Sequence, residues 1–172
     1  MDIEPDTKDW TWVLDQACPD CGLAAGEVAP TEVGARVRLD LPRWQVVLER
    51  AEARERPTPT TWSPTEYACH VRDVFVLFGR RVQLMLDEDD PVFSNWDQDE
   101  TALDDDYAGQ LPSEVSTQLV AAGHAVAEIF DAVTDEGWSR TGRRSNGSVF
   151  TVETLAQYFL HDVVHHLHDV RG

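Results

Sequence analysis

The stretch Ser63-Pro64-Thr65-Glu66-Tyr67-Ala68-Cys69-His70-Val71-Arg72-Asp73 contains the clearest helix start in the chain. Ser63 suits the N-cap, Pro64 suits the first helical position, and Glu66 completes a capping box. Apolar residues then recur every three or four positions, which predicts an amphipathic helix. Because His70 lies about two turns into this helix among apolar neighbours, it is the best-placed histidine outside the C-terminal helix.

Three further segments repeat this helical spacing of apolar residues. Together with the first they give four predicted helices, at 31–54, 63–86, 113–133 and 151–170. Pro42 should kink or split the first of them, because proline removes a hydrogen bond of the helix. Four amphipathic helices with few strand signals favour an all-α four-helix bundle. The long acidic connection at 87–112 is typical of a functional or mobile loop.

Residues 1–30 do not fit a long helix. We therefore expect an irregular N-terminal segment, 1–30, packed through its tryptophans on a helical domain, 31–172. Cys18 and Cys21 stand in a CPDCG turn, which looks like half of a zinc ribbon. A structural zinc needs four ligands, and the sequence does not show the second pair. A zinc knuckle, a redox dithiol and two reduced thiols in a turn therefore all remain open.

The charge and composition exclude several classes of partner. A formal net charge of -18 repels nucleic acid and anionic lipid, and no apolar run approaches the ~20 residues of a membrane span. The acidic N-terminus has no apolar core of a secretory signal, so we expect a cytoplasmic protein. Three cysteines argue against a disulfide scaffold. We expect a small-molecule substrate and, because bundle helices often pack across two-fold axes, a homodimer.

The C-terminal helix is rich in histidine. His161 and His165 are four residues apart, so both imidazoles project from one face and can reach one metal ion. Two ligands from one helix bind weakly, and His70 is the best third ligand. His166 is rotated by about 100° and should face elsewhere, while His168 lies about 10 Å along the axis from His161. The alternative is a solvated, histidine-rich helix face without a metal.

Two motifs resemble the DinB-like family of metal-dependent bundle proteins. They are WSPTEYACHVRD at 62–73 and YFLHDVVHH at 158–166, and TVETL at 151–155 also looks familial. The resemblance covers roughly residues 31–172. It is closest to the actinobacterial thiol S-transferase-like members, including those similar to mycothiol-dependent maleylpyruvate isomerase.

This resemblance implies an up-down-down-up bundle and a divalent metal, zinc or nickel, on three histidines. In this sequence the three ligands fall on His70, His161 and His165. It also implies a low-molecular-weight thiol as cosubstrate. The N-terminal segment looks like a feature of a separate branch of the family.

Three imidazoles leave an open coordination position on zinc. A bound thiol would be held there as a thiolate, whereas a bound water would have its pKa lowered towards ~7. The first predicts a thiol S-transferase, which is the leading interpretation, and the second a hydrolase. A bundle that binds a metal or ligand without catalysis is the third interpretation.

Other side chains are candidates for supporting roles. Tyr158 lies on the face of His161 and could hydrogen-bond a metal-bound group, although a helix aromatic is more often core. Glu66 could act as a base, although the capping box explains it fully. Trp96, in the acidic connection, could cover the pocket. A basic cluster could hold a substrate carboxylate: Arg140, Arg143 and Arg144.

Overall fold

The computed structural model describes residues 10–172, so the first nine residues of the predicted N-terminal segment lie outside the described part. It contains five helices: α1 (Val33–Leu48), α2 (Pro64–Asp87), α3 (Gln98–Asp104), α4 (Pro112–Asp131) and α5 (Val152–Asp169). The four long helices pack on one another, which confirms the predicted all-α four-helix bundle. None of the described helices has the length and apolarity needed to cross a membrane.

Contacts at the two ends of the bundle define the helix directions. At one end, the Thr65 amide near the start of α2 bonds to a carbonyl just beyond α1, and Arg50 donates to the Val170 carbonyl after α5. At the other end, Arg140, shortly before α5, donates to the Met85 carbonyl in the last turn of α2. The carboxylate of Asp131, the last residue of α4, pairs with Arg38 near the start of α1. The order is therefore up-down-down-up, as predicted.

Two parallel helices in succession require a connection that returns along the bundle. Helix α2 has 24 residues and is about 36 Å long, so the chain from α2 to α4 must cover that distance. This explains the long acidic connection, which the short helix α3 and a short strand occupy in part.

The helix termini agree with the predicted start signals. The side chain of Ser63 accepts from the Glu66 amide and the Glu66 carboxylate accepts from the Ser63 amide, which confirms the capping box of α2. Helix α1 runs through Pro42 without splitting, because its apolar face is held by buried Leu41 and Trp44. It ends at Leu48, six residues earlier than predicted.

A small three-stranded sheet forms from the acidic connection at 87–112 and from the segment between the last two predicted helices. Strand β1 (Val92–Phe93) pairs in parallel with β2 (Thr141–Arg144), which pairs antiparallel with β3 (Val149–Thr151). This corrects the expectation of irregular connections. Strands this short carry no alternating pattern that sequence analysis could detect.

The described part of the N-terminal segment, residues 10–32, packs along α5. It consists of short 3-10 turns at Trp10–Leu14, Ala25–Glu27 and Pro30–Glu32. Val13 is fully buried, and the Gln157 amide of α5 donates to the carbonyls of Gly26 and Val28. The segment therefore covers one side of the last helix.

Candidate metal centre

The C-terminal half of α5 presents two stripes of ligand side chains. Successive residues of a helix are about 100° apart, so residues i and i+4 share a stripe and residue i+1 starts another. His161 and His165 form the first stripe, which faces residues 10–32. Asp162 and His166 form the second, which faces α2. The chain thereby directs ligands to two different neighbours.

The stripe facing α2 meets His70. The Nε2 atom of His70 lies 3.3 Å from Oδ1 of Asp162, and Nε2 of His166 lies 3.7 Å from the same oxygen. The rings of His70 and His166 are perpendicular, with centroids 4.8 Å apart. One ligand atom from each of the three side chains lies within 4.8 Å of the other two. We call these three residues the open group.

The polar atoms of the open group are buried without hydrogen bonds. His70 is completely buried, and neither of its ring nitrogens has a hydrogen-bond partner within residues 10–172; the same holds for Oδ1 of Asp162. The 3.3 Å contact between them therefore lacks hydrogen-bond geometry. Buried polar atoms left in this way cost about 1–3 kcal/mol each, and a divalent cation between them would satisfy them. The residues present therefore fit a metal ion.

The protonation states also suit a metal, since ligands must be deprotonated. Burial lowers the pKa of His70, so its imidazole is neutral at neutral pH. Burial alone would raise the pKa of Asp162, but the facing His70 and the neighbouring imidazoles outweigh this and lower it to about 2. The open group thus offers two imidazoles and a carboxylate, a donor set found in catalytic zinc sites that keep a position for water.

Aromatic rings enclose His70. Trp96 stacks on its imidazole with the ring centroids 5.3 Å apart and the planes 15° apart, and Trp62 packs at 5.5 Å. Trp96, which was predicted to cover the pocket, therefore lies directly against a residue of the open group. Trp96 also lines a cleft of about 360 Å³ with residues from the end of α2 and from β1: Leu77, Arg80, Arg81, Leu84, Phe93, Ser94 and Asn95.

The three arginines of the predicted carboxylate site have different surroundings. Arg140 donates to the carbonyls of Met85 and Glu88 and so closes the end of α2. Arg143 pairs with Asp90. Arg144 instead lies 5.0 Å above the ring of Tyr158, and its Nε is buried without a hydrogen-bond partner among the described residues. Of the cluster, only Arg144 has a guanidinium nitrogen left unsatisfied in this way.

Arg81 is a buried arginine that the sequence did not single out. Arg81 is 4% exposed, donates to the Ser94 carbonyl and lies over the ring of Phe93 at 4.8 Å. Burial, and then the nearby charge of Arg144, lower its pKa to about 10. Its spacing places it on the apolar stripe of α2, three residues after Phe78 and four before Met85. An arginine at such a position is ordinarily read as a solvated residue at the edge of the stripe.

Glu66 and Tyr158, the two candidate catalytic residues, belong to neither group of ligand residues. Glu66 is 3% exposed and is occupied by the Ser63 amide and by Arg56, as the capping interpretation requires. Tyr158 packs against Phe78 and Phe150 beneath Arg144. The structure therefore gives Glu66 a structural role and places Tyr158, on α5, among the side chains of Phe78, Phe150 and Arg144.

The other stripe of α5 meets the two cysteines. Sγ of Cys18 lies 3.6 Å from Nδ1 of His165. One ligand atom from each of Cys18, Cys21, His161 and His165 lies within 4.8 Å of the other three. We call these four residues the closed group.

The predicted triad is thus divided between two groups. His70 lies with His166 and Asp162, whereas His161 and His165 lie with the cysteines. The three-histidine site stays a prediction. His166 faces elsewhere than His165, as expected from the rotation of about 100°, and the direction that the structure gives it is towards α2 and His70. His168, at the end of α5, belongs to neither group and is exposed.

The profile of the DinB superfamily matches residues 36–170. The chain belongs to the DinB superfamily. The match begins within α1 and includes all four bundle helices, but it leaves out Cys18 and Cys21. The matched range therefore contains the histidines of α2 and α5 but not the closed group's cysteines.

Two known proteins are similar to this chain over most of their length. A protein of Halalkalibacterium halodurans named "Putative metal-dependent hydrolase BH0277" is 29% identical over 124 residues, which is 71% of either chain. The solved structure of YfiT from Bacillus subtilis, described as a probable metal-dependent hydrolase with an unusual four-helix bundle topology, superposes with a TM-score of 0.68. It is 17% identical, and the match covers 97% of this chain and 89% of YfiT. The likeness to YfiT shows the fold.

Proposed function

We propose that this DinB-superfamily protein is a metal-dependent hydrolase that acts on a small molecule with an anionic group, at the open group. The observation that carries the proposal is the buried, unsatisfied His70 imidazole facing Oδ1 of Asp162 at 3.3 Å. The names of the two relatives, one called a putative and the other a probable metal-dependent hydrolase, support the same class. Zinc is the metal we expect, with nickel second.

A divalent ion held by three protein ligands with an open position activates a water or a thiol as a nucleophile at neutral pH. The chain's own residues set the surroundings. Trp96 and Trp62 pack against the ring of His70, which is completely buried, so bulk water is kept from the ligand atoms on α2. A less hydrated site strengthens every electrostatic interaction within it.

The cleft beside Trp96 suggests the substrate class. Arg81 lines the cleft, and the charge of Arg144 lies near it, outside the lining. The groups that perturb the pKa of Arg81 include no carboxylate. Two guanidinium groups close together without a counterion favour an anion, which they can bind through paired hydrogen bonds. A substrate carboxylate in this cleft would place the rest of a small molecule towards Trp96 and the open group.

The thiol S-transferase that the resemblance implies would use the same open position for a thiolate. It therefore differs from the hydrolase in its second reactant and not in its protein ligands. An assay that supplies or withholds the thiol separates the two.

The test uses the purified full chain, without a histidine tag, loaded with zinc or nickel. Esters and amides that carry a carboxylate would be offered with and without a low-molecular-weight thiol. We expect metal-dependent hydrolysis without thiol, lost in His166→Ala and retained in the control His168→Ala. Turnover only with thiol would replace the hydrolase by an S-transferase. Turnover that survives His166→Ala and Asp162→Asn but is lost in His161→Ala would favour the three-histidine site instead.

A further inference from the structure

We propose that Cys18, Cys21, His161 and His165 bind one zinc ion in a closed, structural site. This site would fasten residues 10–32 to α5. It is separate from the proposed catalytic centre, and it uses two cysteines that lie outside the family match at residues 36–170.

The donor set has the composition and spacing of structural zinc sites. The cysteines are separated by two residues and the histidines by three, as in the Cys-x2-Cys and His-x3-His pairs of Cys2His2 sites. In such a site zinc lies about 2.3 Å from sulfur and about 2.0 Å from nitrogen, which puts neighbouring donor atoms roughly 3.3–3.8 Å apart. The measured 3.6 Å between Sγ of Cys18 and Nδ1 of His165 falls in this range.

The backbone around the cysteines is shaped as a knuckle. The Gly22 amide donates to the Cys18 carbonyl, and the Cys18 amide donates to the Leu23 carbonyl, so the turn closes on itself. Gly22 has a φ of 77°, which glycine adopts without strain. Cys18 is 1% exposed. The turn holds both thiols towards α5 before any ligand is added.

His161 and His165, the two imidazoles of the closed group, are also held in place by their surroundings. His161 is 4% exposed, and its Nε2 is buried without a hydrogen-bond partner among the described residues. Trp10 packs against both imidazoles, with centroid distances of 5.6 Å to His161 and 5.2 Å to His165. A buried imidazole nitrogen left unsatisfied beside two thiols is accounted for by a shared cation. Four protein ligands leave no open position, so the site would be structural and not catalytic.

The third cysteine serves as an internal control. Cys69 is fully buried in α2, and burial raises its pKa to about 12. Its Sγ contacts the Gln110 side chain and lies in neither group. Replacing it changes the number of thiols without changing the closed group.

The experiment is cobalt substitution of the tag-free full chain, followed by absorption spectroscopy. We expect one cobalt per chain to show intense thiolate-to-cobalt charge transfer and the strong visible bands of tetrahedral cobalt. The double variant Cys18→Ser, Cys21→Ser should lose the charge-transfer band and about one zinc equivalent per chain. Cys69→Ala should retain both signals, and so should His70→Ala, which removes a ligand of the open group only.

Each outcome decides the proposal without reference to enzyme activity. Cobalt that binds without thiolate charge transfer in the wild-type chain would overturn it, and this result does not depend on the folding of any variant. A Cys18–Cys21 disulfide in protein purified under mild reducing conditions with zinc present would also overturn it. Loss of the thiolate signal in the double variant, with the signal retained in Cys69→Ala and His70→Ala, would support the closed site.

Discussion

The two stripes of α5 carry ligand groups of opposite character. The closed group joins two thiols to two imidazoles, and Trp10 packs against both imidazoles. The open group joins two imidazoles to one carboxylate, and a ring that covers it, Trp96, also lines a cleft. One helix can therefore supply a structural and a catalytic site, because a one-residue step rotates the side chain by about 100° towards another neighbour.

The largest expected effect concerns the closed group. Removal of zinc by a strong chelator, or the double variant Cys18→Ser, Cys21→Ser, should release residues 10–32 from α5. A ligand present at about a hundred times its Kd adds about 2.7 kcal/mol to stability, so the thermal midpoint should fall by roughly 5–11 °C. Calorimetry with and without chelator measures the shift. Cys69→Ala should respond to the chelator as the wild type does; an equal midpoint with and without metal would remove the structural role.

The next effect concerns the open group. His166→Ala deletes a direct ligand, and since loss of even an outer-shell partner weakens metal binding by 10–100-fold, we expect a loss of at least about 100-fold. Titration with a metal indicator measures the affinity, with the closed group already filled. His168→Ala, on the same helix but exposed, is the matched control. Equal affinity in both variants would assign His166 to the helix surface and weaken the division into two groups.

A smaller effect is expected at Glu66, which lies outside the open group and should influence stability but not metal binding. Glu66→Gln preserves the capping box, which accepts glutamine at this position, but removes the charge paired with Arg56. We expect a loss of about 1–2 kcal/mol in the free energy of unfolding at neutral pH, without a change in metal affinity. Urea denaturation measures the first and metal titration the second. If metal affinity fell as well, Glu66 would belong to the open group.

The loss of stability in Glu66→Gln should depend on pH. Burial alone would raise the pKa of Glu66, but the hydrogen bonds from Arg56 and Ser63 outweigh it and hold the pKa below its ordinary value. The carboxylate therefore adds stability above the pKa of the unfolded chain, about 4.3, and this contribution is lost as the pH falls below it. The stability difference between wild type and Glu66→Gln should shrink on acidification through that range. A difference that is constant with pH would show that the charge has no part in it.

The smallest effect concerns the cleft. Arg144→Gln should weaken the binding of a small carboxylate such as benzoate by a few-fold, about 1 kcal/mol, because it removes a positive charge near Arg81, which lines the cleft. Quenching of tryptophan fluorescence, with Trp96 in the cleft, follows the binding. Arg143→Gln is the control, since Arg143 is exposed and already paired with Asp90. Equal weakening by both variants would indicate a general surface charge effect and not a subsite.

Sequence analysis located the helices more completely than the ligand groups. The capping box at Ser63 and the apolar spacing of the four segments are local properties, and the helices begin within two residues of their predicted starts. The sheet of β1–β3 was missed, since its strands are only two to four residues long. The grouping of His166 with His70 was also missed, because a sequence shows which residues share a stripe of one helix but not which neighbour that stripe faces.

The sequence by itself determined the all-α bundle, the helix starts and the set of metal-ligating residue types. These follow from hydrogen bonding and apolar spacing within single segments. Only the tertiary structure decided how the ligands are shared. The packing of residues 10–32 on one side of α5 and of α2 on the other brings Cys18 and Cys21 to His161 and His165, and His70 to Asp162 and His166. Those contacts join parts of the chain that are far apart in sequence, so no local pattern encodes them.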